Sequence, residues 1–398
     1  MAADRGRRTH RLPAAPDLLS LFPPQGCAWV REGSGIVGAG ELRRAALGAE
    51  GLREASRLWR SWAPALGVGD DVRLPGTGAI AFVSASFVPG DGVLVVPEAV
   101  VGRHGDVGWV TGALDVSPRE GSQSAASPGS VTITAGALTD EEWQERATEA
   151  VRRIRAGRLQ KVVLARDVVA RSEAPLDLPQ VARQLAAAYP TTWTFLVDGL
   201  VGATPELLVR VQDWQVTSRV LAGTAWRTDA SDPGARLQAS GKDREEHAYA
   251  VASVVEVLRA WCADLRVPEP TVLELPNVVH LATTITGTLA DPGSSVLDVA
   301  AALHPSAAVC GTPRAEAAAA IAELESMDRG RYGGPVGWVD AAGNGEIGIA
   351  LRCGQQVDER TLRLYAGCGL VAGSDPVTEL AETRAKLAPM LGALGVDS

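Results

Sequence analysis

A chain of 398 residues with 46% hydrophobic and 21% charged side chains holds enough apolar material for one large or two ordinary globular domains. Its net charge of −9 argues against a general nucleic-acid binder, which needs a basic face. No stretch is apolar for long enough to predict a membrane-spanning helix, and five cysteines without a C-x-x-C pair argue against a disulfide framework or a structural zinc site. The chain starts with a basic segment (Arg5, Arg7, Arg8, Arg11) that no apolar run follows, so no signal peptide is predicted and a cytoplasmic protein is expected.

Residues 1–117 alternate short apolar runs with Gly/Pro punctuation. Ala79–Phe87 and Gly92–Pro97 read as strands, and a helix is predicted around Glu41–Trp62. This portion carries no chemical constellation and reads as scaffold. The Ser/Gly/Pro-rich segment 118–130 reads as a linker, and the chemistry is expected in 131–398.

Thr139-Asp-Glu-Glu142 is a capping box, followed by Trp143, Ala147, Val151 and Ile154 on one helical face. Gln160–Ala170 then reads as a buried strand with Lys161 at its mouth. Two readings fit that lysine. Its stem can snorkel and leave an edge charge, or its amine can face a dry pocket and act as a general base. Thr192–Val197 and Gly199–Ala203 form an expected strand pair, which puts Glu206 at the entrance of the next strand. Leu221–Ala225 reads as a small-residue turn suited to close ligand approach.

Ser240 opens a long helix whose first turns carry Asp243, Glu246 and His247, acids that a helix N-terminus favours in any case. Pro276–Gly287 is an expected strand, with His280 read as a satisfied structural histidine. His304–Arg314 is a loop before an Ala-rich helix, and Gly345–Arg352 reads as a strand ending in an arginine suited to grip a carboxylate. The final stretch, Leu364–Lys386, reads as a strand, a glycine-rich turn at Gly367-Cys-Gly369, and a helix capped by Asp375 with Pro376 in its first turn. On that helix Glu379, Glu382 and Lys386 share one side. Gly367–Ala372 fits a dinucleotide fingerprint, but too little chain follows to build such a domain.

These stretches together resemble the chorismate-utilising enzymes, and within them the isochorismate synthases. The resemblance spans roughly Thr139 to Leu391 and rests on motifs in the family's order. They are Lys161–Arg166, Thr204–Leu208, Leu221–Ala225, Lys242–His247, His304–Pro313, Tyr332–Trp338 and Gly367–Lys386. One departure is Cys368, where the family commonly has alanine.

The resemblance implies a mixed α/β (α+β) fold in which large antiparallel sheets and surrounding helices enclose one central site. It implies chorismate as substrate, a cyclohexadiene with two carboxylates and a hydroxyl leaving group, and Mg²⁺ as cofactor. By motif position Glu246 and Glu382 would bind the metal, with Asp243 and Glu379 behind them. Arg352, Gly367 and Lys386 would bind substrate oxygens, and Gly223, Thr224 and Ala308 would line the pocket. Lys161 would take a proton from the attacking water, and Glu206 would protonate the departing hydroxyl. The product would feed menaquinone or a siderophore. No glutaminase subunit, nucleic acid or membrane partner is expected, and the chain would be a monomer or weak homodimer. The alternatives are a salicylate synthase, an amine-forming relative of the anthranilate or aminodeoxychorismate type, and a non-catalytic chorismate-binding protein.

Overall fold

The computed structural model describes residues 7–23, 26–112, 130–226, 232–274 and 278–396. Arg5, residues 118–129 of the expected linker, and Pro276 and Asn277 lie outside these residues. Eight α-helices are described: α1 (Leu52–Ala65), α2 (Asp140–Arg155), α3 (Leu178–Ala188), α4 (Pro233–Ala239), α5 (Gly241–Leu258), α6 (Val296–Leu303), α7 (Arg314–Leu324) and α8 (Pro376–Ala393). They surround one thirteen-stranded and one ten-stranded sheet, whose strand pairs are almost all antiparallel. This is the mixed α/β architecture that the motifs imply.

Both sheets draw on both ends of the chain. Gly26–Arg31 pairs with Trp193–Val197 in the larger sheet, and Ile80–Ala85 pairs with Pro335–Asp340 in the smaller. The N-terminal portion is therefore built into the same sheets that carry the later motifs. One local expectation changes. The helix expected over Glu41–Trp62 is interrupted, because Arg43–Ala46 pairs with Gly92–Val96 and α1 starts only at Leu52. Gly51, at φ +51°, makes the corner between them in a conformation that a side chain would resist.

Local signals place the helices next to the site. Thr139 caps α2 through the Glu142 N–H while the Glu142 carboxylate takes the Thr139 N–H. Trp143 on that helix is fully buried and donates its indole N–H to the Ala165 carbonyl, 3.2 Å away. Asp375 caps α8 by accepting the Thr378 N–H at 2.9 Å, with Pro376 in the first turn.

The strand Lys161–Ser172 runs beside Thr361–Leu370 through ten consecutive pairs, from Val162 with Leu370 to Arg171 with Thr361. A buried ion pair pins it from the other side. Glu325 accepts from the Ala165 N–H at 2.7 Å, and Arg329 donates to Val163 O and Val309 O, both at 2.8 Å. Arg329 also donates to Glu325 Oε2 at 2.8 Å, and both residues are almost wholly buried. Removing one partner strands the other charge, so Arg329→Met should cost about 3–5 kcal/mol. Urea unfolding of parent and variant checks this, with Glu325→Gln expected to fall in the same direction.

Candidate active site

The site lies on the seam between the sheets. Lys161 is the first residue of its strand and is completely buried. Among the described residues its Nζ has no hydrogen-bond partner, and it sits 3.3 Å from Glu246 Oε1 without the alignment of a hydrogen bond. The edge-charge reading of Lys161 is thereby excluded. Glu246 comes from α5, which packs on Gln215–Trp226 of the smaller sheet, whereas the lysine belongs to the larger one.

Gly369 explains how these two side chains fit. A Cβ there would come within 2.0 Å of Glu246 Oε1 and 3.1 Å of Lys161 Cε. The glycines of this stretch do not form a turn. Gly367 and Gly369 lie inside the strand Thr361–Leu370, paired with Ala165 and Val163, and the turn follows at residues 371–375. Their contribution is empty volume beside the ladder.

Glu206 stands between the strands Leu200–Thr204 and Leu207–Gln212, its N–H bonded to Thr204 Oγ1 at 3.2 Å. Burial pushes its carboxyl up to about 8, against the opposing pull of Lys161, Arg352 and Lys386. It therefore carries a proton at neutral pH. Leu221–Ala225 is not a turn either; it lies inside Gln215–Trp226, where the register slips between Ala222 and Thr224. Gly223 forms that bulge at φ +76°, closely backed by Asp243.

On α8, Glu382 accepts from Lys386 at 2.5 Å and from Thr224 Oγ1 at 3.2 Å. Burial raises this carboxyl, but Lys386 more than offsets it and leaves the group below its ordinary value. Glu379 is pushed up by burial and by Glu382, opposed by its ion pair with Lys242. Lys386 also donates to Gly367 O at 2.9 Å.

Arg352 follows the strand Gly345–Ile349, which ends three residues earlier than expected, and adopts φ +48°. Its guanidinium lies 3.3 Å from His280 Nε2, while His280 Nδ1 lies 3.2 Å from Gly223 O. Burial, then Arg352 and Lys386, lowers this imidazole to about 3, so it is neutral. The two contacts assign the proton to Nδ1, which donates to the carbonyl while Nε2 accepts from Arg352.

A cavity joins these groups; Glu206, Gly223, Thr224, Glu246, Ala308, Arg352, Gly367 and Lys386 all line it. Lys161 and Glu382 reach it through Glu246 and Thr224, and Asp243 and Glu379 stand behind. The structure thus gathers the predicted residues into one place. It adds two that sequence reasoning left aside: His280, which is structural as expected but also forms the wall, and Tyr332, stacked on Tyr365 at 5.1 Å. Nothing local in the sequence marks a strand histidine as facing a cavity.

A profile described as chorismate binding enzyme matches residues 112–395. Isochorismate synthase DhbC of Bacillus subtilis is 40% identical over 322 residues, which is 76% of this chain and 77% of that protein. Isochorismate synthase EntC of Escherichia coli K12 is 40% identical over 246 residues, covering 59% of this chain and 62% of its own. The structure of MenF, the menaquinone-specific isochorismate synthase from Escherichia coli, superposes with a TM-score of 0.79 at 25% identity, over 98% of this chain and 95% of that one. With its motifs gathered around one buried cavity and the profile spanning most of its length, the chain belongs to the chorismate-binding enzyme family.

Proposed function

We propose that this chain is an isochorismate synthase, an isomerase that interconverts chorismate and isochorismate by adding water at one ring position and losing a hydroxyl at another. The observation that carries the reading is the opposed pair of proton-handling groups: a buried Glu206 that holds its proton at neutral pH, and a fully buried Lys161 whose amine lacks a hydrogen-bond partner among the described residues. The relatives named above act in the same sense.

In this reading Lys161 takes the proton from the attacking water as the new C–O bond forms. Glu206 gives its proton to the departing hydroxyl, which leaves as water. Arg352, held by neutral His280, and Lys386 meet substrate oxygens, with the Gly367 backbone beside them, while Gly223, Thr224 and Ala308 shape the wall. Water as nucleophile removes the need for an ammonia-supplying glutaminase partner.

The donor set fits Mg²⁺. Glu246 and Glu382 are hard oxygen donors from two helices, and Gly369 leaves a cradle at Glu246 that a Cβ would fill. Mg²⁺ takes one or two carboxylates and keeps several waters, so two glutamates leave room for water and substrate. Bound Mg²⁺ would supply positive charge for the ring carboxylate of chorismate, with Asp243 and Glu379 supporting its two ligands.

Four outcomes test the assignment. Gly369→Ala should displace the Glu246 carboxylate and weaken Mg²⁺ binding by about tenfold or more, read by calorimetry, with little change in melting temperature because a flexible side-chain end gives way. The rate with chorismate should fall as pH rises through about 8, where Glu206 loses its proton. Glu206→Gln should lower turnover by roughly 10²-fold or more and abolish that limb, while calorimetry still shows chorismate binding. Lys161→Ala keeps the buried Val162, Val163 and Leu164 of its strand, so it should fold and bind chorismate. Chromatography should find almost no isochorismate at any pH, and formation at the parental rate would remove the base assignment.

A further inference from the structure

Three lysines each hold one carboxylate of the site: Lys161 with Glu246, Lys386 with Glu382 and Lys242 with Glu379. The third pair differs from the others in its exposure. Lys242 has 31% of its side chain exposed, against 0% for Lys161 and 12% for Lys386, while its partner Glu379 is 2% exposed. Like Lys161 with Glu246, it spans the seam. Lys242 lies on α5, one turn before Glu246; Glu379 lies on α8, one turn before Glu382. Helix α5 rests on Gln215–Trp226 of the smaller sheet and α8 on Thr361–Leu370 of the larger. The pair therefore ties together the two helices that carry the proposed metal ligands, next to those ligands.

Glu379 stands on the same helix face as Glu382 and is buried, while Glu382 is half-buried. A free carboxylate there would be a third anionic oxygen donor beside the cation. Ligand number and charge separate divalent ions: Mg²⁺ is content with one or two carboxylates plus water, whereas Ca²⁺ takes six to eight oxygens in flexible geometry. From the reading that Glu246 and Glu382 hold the ion, we infer that Lys242 is a positioning residue for cation choice. By engaging Glu379 it confines the site to two carboxylates and so favours Mg²⁺ over Ca²⁺. The role belongs to Lys242 because Lys161 and Lys386 engage the ligands themselves.

The test is calorimetric titration of MgCl₂ and CaCl₂ into the full chain without substrate. Lys242→Met should gain Ca²⁺ affinity relative to Mg²⁺ by about tenfold or more, the scale expected for one added carboxylate donor. Lys242→Met/Glu379→Gln should return to the parental ratio, and Lys242→Arg, which can keep the ion pair, should retain it. Glu379→Gln alone should leave the ratio unchanged, because Lys242 already holds that carboxylate away. An unchanged ratio in a folded Lys242→Met would overturn the inference, as would a shift that persists in the double variant. If Lys242→Met does not fold, a shifted ratio in Glu379→Gln overturns the inference by itself and an unchanged one supports it. Glu382→Gln separates the underlying reading: parental Mg²⁺ affinity there would remove the ligand assignment itself, whatever Lys242 does.

Discussion

The site depends on pairing charge across the seam between two sheets. Lys161 and the α8 residues stand on the larger sheet, while Glu246, Lys242 and Thr224 stand on or against the smaller. Each polar contact that bridges them, Lys161 with Glu246, Thr224 with Glu382 and Lys242 with Glu379, joins one side to the other. An ion taken out of water costs several kcal/mol unless an opposite charge meets it, so these groups are tolerable only while the sheets stay in register. The ten-pair ladder between Lys161–Ser172 and Thr361–Leu370, backed by Glu325 and Arg329, supplies that rigidity.

The same burial generates the chemistry. Glu206 has cationic groups in its surroundings and yet keeps its proton, because desolvation outweighs their attraction. Glu382 experiences the same desolvation but has Lys386 at 2.5 Å, and it stays ionised. Two glutamates in one site thus take opposite protonation states, one fit to donate a proton and one fit to meet a cation. Their difference lies in the direct Lys386 partner of Glu382, a property of the fold and not of residue type.

Glycines do the steric work around them. Gly369 makes room for a carboxylate and an amine beside a paired strand, and Gly223 lets Gln215–Trp226 bulge toward Asp243. Its carbonyl then orients His280, which in turn meets Arg352. A neutral imidazole between a carbonyl and a guanidinium transmits position without adding charge to the cavity.

Much of this was legible in the sequence, in the parts that depend on neighbours along the chain. The capping box at Thr139, the cap at Asp375 with Pro376 and the apolar run from Lys161 each determined an element. The i,i+3 and i,i+4 spacings put Glu379, Glu382 and Lys386 on one face. Motif order determined which residues would meet. Where longer-range pairing competed, local reading failed: Arg43–Ala46 became a strand because Gly92–Val96 was there to pair with it. For the same reason Gly367 and Gly369 sit in a ladder, and the Leu221–Ala225 motif is a bulge rather than a turn. Only the tertiary structure decided that Glu206 is protonated, that His280 walls the cavity and that Lys242 reaches Glu379 across the seam. Caps and periodicity are set by residues a few positions apart, whereas desolvation and charge pairing sum over groups that meet only once both sheets have closed.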